Sequence, residues 1–407
     1  MAPSISSRVD GRPPAGVDLL RKTTQELLKS GKKIISLSGG DPARHGFSPP
    51  SYVQEALVQA VRDQWHMYPA GTGWEPKLMA AIADREKRYH MVDYAASDIV
   101  PTPSSTQALN LLYLVLLDVG DNLVGPEPTY QQYFFVANYV RAEILTFPSL
   151  EENGWQPEVD QMRKKITNKT KGIIINNPNN PTSAIYDEKS LREMVNIAGE
   201  YDLPIISDEI YDQVTFDGVK TKSIASIAND VPTMVTNGMA KSFMATGWNV
   251  GYIAFHDPNQ KIVHVKKACE TLKMLTGRIA TPISVAATVA YQNLDKGEKH
   301  LQEMINSLEK RRDLSYKRLN EIDGVSCQKM QAGLYGFPKV DTIGKVWKDD
   351  VQFMVELLKE QQVQWVPGSN YGAECGFGHF RALLLPEEKV LEEAYTRLET
   401  FLKSKVK

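Results

Sequence analysis

Val231 to His256 reads VPTMVTNGMAKSFMATGWNVGYIAFH, and Lys241 is its only residue with a permanent formal charge. A lysine alone among small and apolar neighbours is poorly solvated, and burial pushes its amine toward the neutral form that attacks carbonyls. Lys241 is therefore the candidate Schiff-base nucleophile. Taken alone, a lysine more often snorkels from a half-buried strand end to the surface.

The segments upstream weigh against that bland reading. LPIISDEIYDQ (Leu203 to Gln213) runs an apolar strand pattern into Asp208 and then Tyr211. Acid and phenol thus fall just past a strand's carboxyl end, where open parallel sheets place their ligands. GIIINNPNNPTSAIY (Gly172 to Tyr186) repeats the plan, an apolar strand followed by a turn of Asn and Pro. Three units of buried strand and polar tip, supplying Asn, Asp with Tyr, and Lys, are more than composition predicts, and an α/β protein is expected.

NNPNNPT, SDEIY and KSFMATGWNVGY stand in the order and spacing of a known family, and on them the chain resembles the fold-type I, pyridoxal-phosphate-dependent aminotransferases of class I/II. The resemblance runs from about Ile34 to the C-terminal helix. It implies a large domain with a mainly parallel seven-stranded sheet and a small α+β domain. The expected boundaries are 1–50 for an N-terminal arm and part of the small domain, 51–295 for the cofactor domain and 296–407 for the C-terminal domain. The G-D-P and F-x-P-P elements (Gly40 to Pro42, Phe47 to Pro50) resemble the alanine-aminotransferase-like branch.

Residue by residue, the resemblance makes Lys241 the catalytic lysine and Asp208 the partner of the pyridine nitrogen of pyridoxal 5'-phosphate. Asn180 and Tyr211 hold the phenolic oxygen, and Tyr130 stacks on the ring. Ser104, Ser105 and Thr106 stand between a strand (Ile99 to Thr102) and an apolar-periodic helix (Ala108 to Leu117). They suit an N-cap as well as a phosphate cradle. Arg381, after Gly378-His379-Phe380, matches the arginine whose planar fork clamps the α-carboxylate. Gly40 lets the backbone approach substrate there, and Tyr68 reaches the cofactor phosphate of a neighbouring subunit. A homodimer with a shared active site follows. Arg278 resembles an arginine common in the alanine-type branch.

The departures from the pattern are specific. Asn249 stands where the family has a phosphate-binding arginine, Gly238 and Ala240 where serines are usual, and Ser104 and Ser183 where glycine is common. Losing the phosphate's cation matters most for an enzyme whose pyridoxamine form has no covalent tether. Transamination of an L-amino acid to a 2-oxo acid is the leading expectation. Asn249 raises an alternative, namely elimination, replacement or cyclisation on an amino-acid substrate.

Composition excludes other classes. At 407 residues the chain can bury a large core, and a net charge of −2 gives no reason to expect nucleic acid or a membrane surface as partner. The N-terminus MAPSISSRVDGRPPAG lacks the apolar core of a signal peptide, so a cytoplasmic location is the default expectation. Met1 to Gly16, rich in Pro, Ser and Gly, reads as a flexible or partner-wrapping arm. Cys269, Cys327 and Cys375 match no metal spacing, and the seven histidines are scattered. Free thiols and no metal site are expected.

Overall fold

The computed structural model describes residues 15–69 and 71–405. The expected arm therefore lies outside the described residues up to position 14; helix Ala15–Lys29 follows directly. Eight strands form the main sheet: β1 (Ile99–Thr102), β2 (Asn122–Glu127), β3 (Glu143–Leu150), β4 (Gln156–Pro157), β5 (Thr170–Asn176), β6 (Ile205–Asp208), β7 (Thr233–Gly238) and β8 (Gly251–His256). Their spatial order is β1-β8-β7-β6-β5-β2-β3-β4. The run from β7 through β3 is parallel, whereas β8 pairs antiparallel with both β7 and β1.

The sheet thus has one strand more than the seven anticipated. Gly154 and Trp155, at φ 62° and 63°, reverse the chain after β3. The two residues of β4 then add antiparallel at the edge. Trp155 is buried at that corner and its ring packs on Phe337, which holds the reversal in place.

Unbroken isoleucine runs form β5 and β6 because both faces of the sheet are covered. Ile173 and Ile175 join one core with helices Trp74–His90, Glu188–Glu200 and Thr281–Gln292. Ile174 and Ile206 point the other way, into a core with helices Ser105–Leu116 and Val263–Thr276. Alternate side chains of one strand therefore glue two helical layers to the sheet.

A third core joins helices Leu294–Glu321, Asp350–Gln361 and Glu388–Lys405 to a small antiparallel sheet of Tyr335–Gly336, Phe380–Leu383 and Val366–Pro367. Leu20 and Leu37 enter the same core, and Ile35–Ser36 pairs in parallel with Val363–Gln364. From Ile283 to Ile322 the sequence has a helical pattern throughout, yet it forms two helices, Thr281–Gln292 and Leu294–Glu321. It breaks at Asn293, whose side-chain amide turns back to the Val289 carbonyl at 2.8 Å.

Register decides what meets at the sheet edge. Asn176, the last residue of β5, lies beside Asp208, the last of β6, which lies beside Thr236 of β7. The carboxyl ends of three parallel strands therefore open on one crevice.

Candidate active site

That crevice leads into a cavity of about 310 Å³ lined by residues from both the large sheet and the small one. Lys241 enters it from a single helical turn, Met239–Ser242, after Gly238 ends β7. Glycine is required at 238, because a Cβ there would stand 2.3 Å from the Val250 carbonyl oxygen. Lys241 Nζ donates to the Gly40 carbonyl at 2.6 Å and lies 5.8 Å from the Tyr211 ring centre. Burial pulls its amine below the usual lysine value; Arg381 adds to the shift, against the opposing pull of Tyr335, Asp41 and Asp208.

Asp208 is buried, and desolvation pushes its carboxyl up to about 6 despite two donors, the Tyr133 hydroxyl at 2.8 Å and the Ile210 amide at 3.3 Å. A carboxylate so placed favours a cationic or N–H partner in the cavity. Beside it the Asn176 side chain donates to the Asp208 carbonyl at 3.1 Å and accepts the Asn180 amide at 2.7 Å. The Asn-Pro turn is thereby fastened to the acid-bearing strand.

Arg381 comes from the small sheet. Its Nη1 donates to Asn180 Oδ1 at 3.2 Å and its Nη2 to the Ser38 carbonyl at 2.5 Å. Among the described residues no carboxylate pairs with it, and its Nε is buried without a partner. A buried cation with an idle donor is a site for an incoming anion.

Ser104, Ser105 and Thr106 line the other end of the cavity. Ser104 caps helix Ser105–Leu116, its Oγ accepting the Gln107 amide at 3.2 Å. The turn packs against β8 so closely that a Cβ at Gly251 would fall 2.3 Å from the Ser104 carbonyl carbon. Free amides and hydroxyls at this helix start suit a phosphate. Asn249 borders the same cavity and is exposed. The departures Ser104, Ser183 and Asn249 all sit at positive φ, 81°, 60° and 53°, which accounts for the glycine common at the first two.

Of the residues singled out from sequence, the fold brings Gly40, the Ser104–Thr106 turn, Tyr130, Asn180, Asp208, Tyr211, Lys241, Asn249 and Arg381 to one cavity. It does not bring Tyr68, which is 88% exposed on this chain. Arg278 also lies elsewhere, 3.9 Å from Glu75 beside Lys273. Sequence reasoning missed Tyr133, Tyr335 and Gln131. The Gln131 Oε1 is buried with no partner at the cavity wall, and Tyr335 Oη accepts from Tyr211 at 3.3 Å. All three are uncharged, and the only local signal was a tyrosine recurring three positions after Tyr130 on a helical turn.

A doubly wound sheet carrying lysine, aspartate and arginine into one cavity at its strand ends defines an α/β enzyme for an anionic ligand that carries a reactive carbonyl. A family model described as aminotransferase class I and II matches residues 32–398. An aspartate aminotransferase of Bacillus subtilis is 30% identical over 402 residues, covering 98% of this chain and 98% of that relative. An alanine aminotransferase of Mycobacterium bovis is 29% identical over 385 residues, 93% of this chain and 87% of that one. Among solved structures, the alanine aminotransferase from Pyrococcus furiosus superposes with a TM-score of 0.93 at 41% identity, covering 98% of this chain and all of that one (100%). The chain belongs to the class I and II aminotransferases.

It is therefore an aminotransferase, of a family that works with pyridoxal phosphate. These relatives favour transamination over the elimination, replacement or cyclisation chemistry that Asn249 suggested. Among the described residues, no helix is long and apolar enough to cross a membrane.

Proposed function

We propose that this aminotransferase takes pyridoxal phosphate into the cavity and transfers the amino group of a small, neutral L-amino acid of the alanine type. The reading rests on one observation: Arg381, buried and without a carboxylate partner among the described residues, shares a cavity with the neutral-shifted amine of Lys241. The donor set fits the cofactor. The Ser104–Thr106 turn and Asn249 would hold its phosphate, Asp208 its ring nitrogen, Asn180 and Tyr211 its phenolic oxygen, and Tyr130 would lie on its ring. When bound, the cofactor supplies the carbonyl that accepts the amino group and the ring that stores an electron pair.

The chain's own residues supply the rest. Arg381 and Asn180 orient the substrate carboxylate, which fixes the Cα–H bond relative to Lys241. Lys241, its amine shifted toward the neutral form by burial, would take up that proton and pass it to the cofactor carbon that receives the amino group, and the Gly40 carbonyl accepts from Nζ at 2.6 Å. Asp208 as an anion balances positive charge at the ring nitrogen. Lys241 and Arg381 are the cavity's only cations among the described residues, which supports a substrate with one carboxylate.

The reading includes a homodimer. Tyr68, 88% exposed, would meet the cofactor phosphate of a second copy. Sedimentation of the purified protein, with and without Tyr68→Ala, tests this part: a monomeric, fully active parent enzyme would overturn it.

The function is tested by stoichiometric half-reactions of the holoenzyme with a panel of amino acids, following the cofactor spectrum and the 2-oxo acid released. Conversion ranked with alanine first supports the proposal; a preference for aspartate or aromatic donors rejects the alanine-type assignment. Borohydride should fix the cofactor to the parent protein and not to Lys241→Ala.

A further inference from the structure

Arg381 faces an electrostatic problem that the rest of the site does not solve. It is buried, carries a permanent charge and has no carboxylate neighbour among the described residues. Two oxygen acceptors, from Asn180 and Ser38, do not replace a counter-ion, and its Nε has no acceptor at all. Such a side chain is expected to fold away toward water unless something else holds it.

What holds it is aromatic. The guanidinium carbon lies 4.0 Å from the ring centre of Tyr335 and 5.1 Å from that of Tyr371. Both rings are buried. A desolvated guanidinium gains most from the face of a ring at such a distance.

Tyr335 is itself fixed from three sides. Its strand pairs with the strand of Arg381, with Tyr335 opposite Leu383 and Gly336 opposite Ala382. Its carbonyl accepts from Ser183 Oγ at 2.6 Å, which ties it to the loop that carries Asn180. Its hydroxyl receives the Tyr211 hydroxyl at 3.3 Å and presses on the Gly40 backbone, where a Cβ would come within 1.8 Å of it. Burial pushes the phenol up, yet the Arg381 and Lys241 cations outweigh it and bring the group below the usual tyrosine value.

We infer that Tyr335 is a positioning residue for substrate recognition: the face of its ring keeps the Arg381 fork in place while no carboxylate is bound. The inference rests on the reading of Arg381 as the carboxylate-binding residue. It assigns to Tyr335 a separate part, acting through the arginine rather than on the substrate.

The ring and the hydroxyl are separable by substitution. In Tyr335→Phe the face remains, and the holoenzyme should bind an unreactive monocarboxylate such as propionate within about twofold of the parent, by calorimetry. In Tyr335→Met the face is lost at similar volume. Propionate affinity should fall by about tenfold, with KM for the amino donor rising in step and kcat falling less. Should the methionine variant not fold, phenylalanines with one, two and three ring fluorines at position 335 keep the shape and withdraw π density. Affinity should then decline stepwise with each fluorine.

Equal propionate affinity in the parent and Tyr335→Met, or a flat fluorine series, overturns the inference. So does an equal loss in Phe and Met, which would assign the effect to the hydroxyl. Failure of the parent itself to bind propionate, or loss of binding that is absent in Arg381→Lys, would instead discredit Arg381 as the carboxylate site. That outcome is read by binding alone and does not depend on turnover.

Discussion

The hydroxyl of Tyr133 donates to Asp208 Oδ2 at 2.8 Å, and among the described residues it is the single side-chain donor to the acid at the end of β6. Helix and sheet thus meet at the acid proposed to face the cofactor's ring nitrogen as an anion. The neighbouring Tyr130 packs edge-on to Tyr133 at 5.6 Å, so the pair links the cavity wall to the buried acid.

Removing that donor with Tyr133→Phe should raise the Asp208 pKa further. A hydrogen bond to a charged group contributes about 1.5–3 kcal/mol, so the rise should be about one pH unit or more. Asp208 already stands at about 6, and the direction of the change is upward, so the anion is lost from its acidic side first. The acid limb of the activity profile should therefore move to higher pH. An unchanged limb would mean that Tyr133 only packs.

Gly40 has no room for a side chain. A Cβ at 1.8 Å from Tyr335 Oη must displace either the tyrosine or the loop that anchors Lys241. Gly40→Ala should cost about 1–3 kcal/mol of stability and raise KM for the amino donor. Adding Tyr335→Phe should recover part of both, because it deletes the atom in contact. Thermal melts and kinetics on the two variants check this, and full activity of Gly40→Ala alone would contradict it.

Cofactor retention should respond to Asn249. Arginine at this position offers the phosphate a cation, worth about 4 kcal/mol at 4 Å before desolvation and screening. The backbone φ of 53° opposes it by about 1–2 kcal/mol, and the position is exposed. The expected net result for Asn249→Arg is a cofactor bound about threefold to tenfold more tightly, measured by equilibrium dialysis at low salt. Weaker binding would show that asparagine is required for the turn itself.

A second ionic cluster lies outside the cavity lining. Arg85 donates to Glu86 at 2.6 Å and pairs with Asp212, which also meets His90 Nε2 at 2.8 Å; Tyr252 donates to Glu86. Every one of these residues is buried. Arg85→Met leaves two carboxylates without their cation and should destabilise the fold by about 3–5 kcal/mol.

The same cluster predicts acid sensitivity. Burial resists ionisation of Asp212, but Arg85 and His90 prevail and hold it down to about 2. A carboxyl depressed on folding stabilises the protein above its ordinary value of 3.8 and loses that contribution as pH falls toward 2. Denaturant midpoints between pH 5 and pH 2 should fall in the parent, and less steeply in Asp212→Asn.

How much of this could be read from the chain differs from residue to residue. The strand of Gly172 to Asn176 was legible because three consecutive isoleucines bounded by an Asn-Pro turn admit little else. Lys241 was legible as an isolated charge in an apolar segment and Asp208 as an acid just past an apolar strand, whereas Arg381 was legible only through the resemblance of its position. Tyr335 and Tyr133 were not, since a neutral tyrosine beside glycines or in an aromatic helix carries no such signal. The eighth strand was hidden too, because two residues of edge pairing leave no periodicity. Asn293 interrupts an otherwise helical pattern through one side-chain hydrogen bond, which periodicity does not register.

By itself the sequence determined the buried strands, the polar tips that follow them and the chemical types assembled there, because desolvation and backbone geometry act locally. Only the tertiary structure decided which tips meet. The register that sets Asn176 beside Asp208, the 2.6 Å contact from Lys241 to Gly40 and the ring of Tyr335 under Arg381 join residues far apart in the chain. Contacts of that kind depend on how the two sheets and their helices pack, and packing is a property of the whole fold.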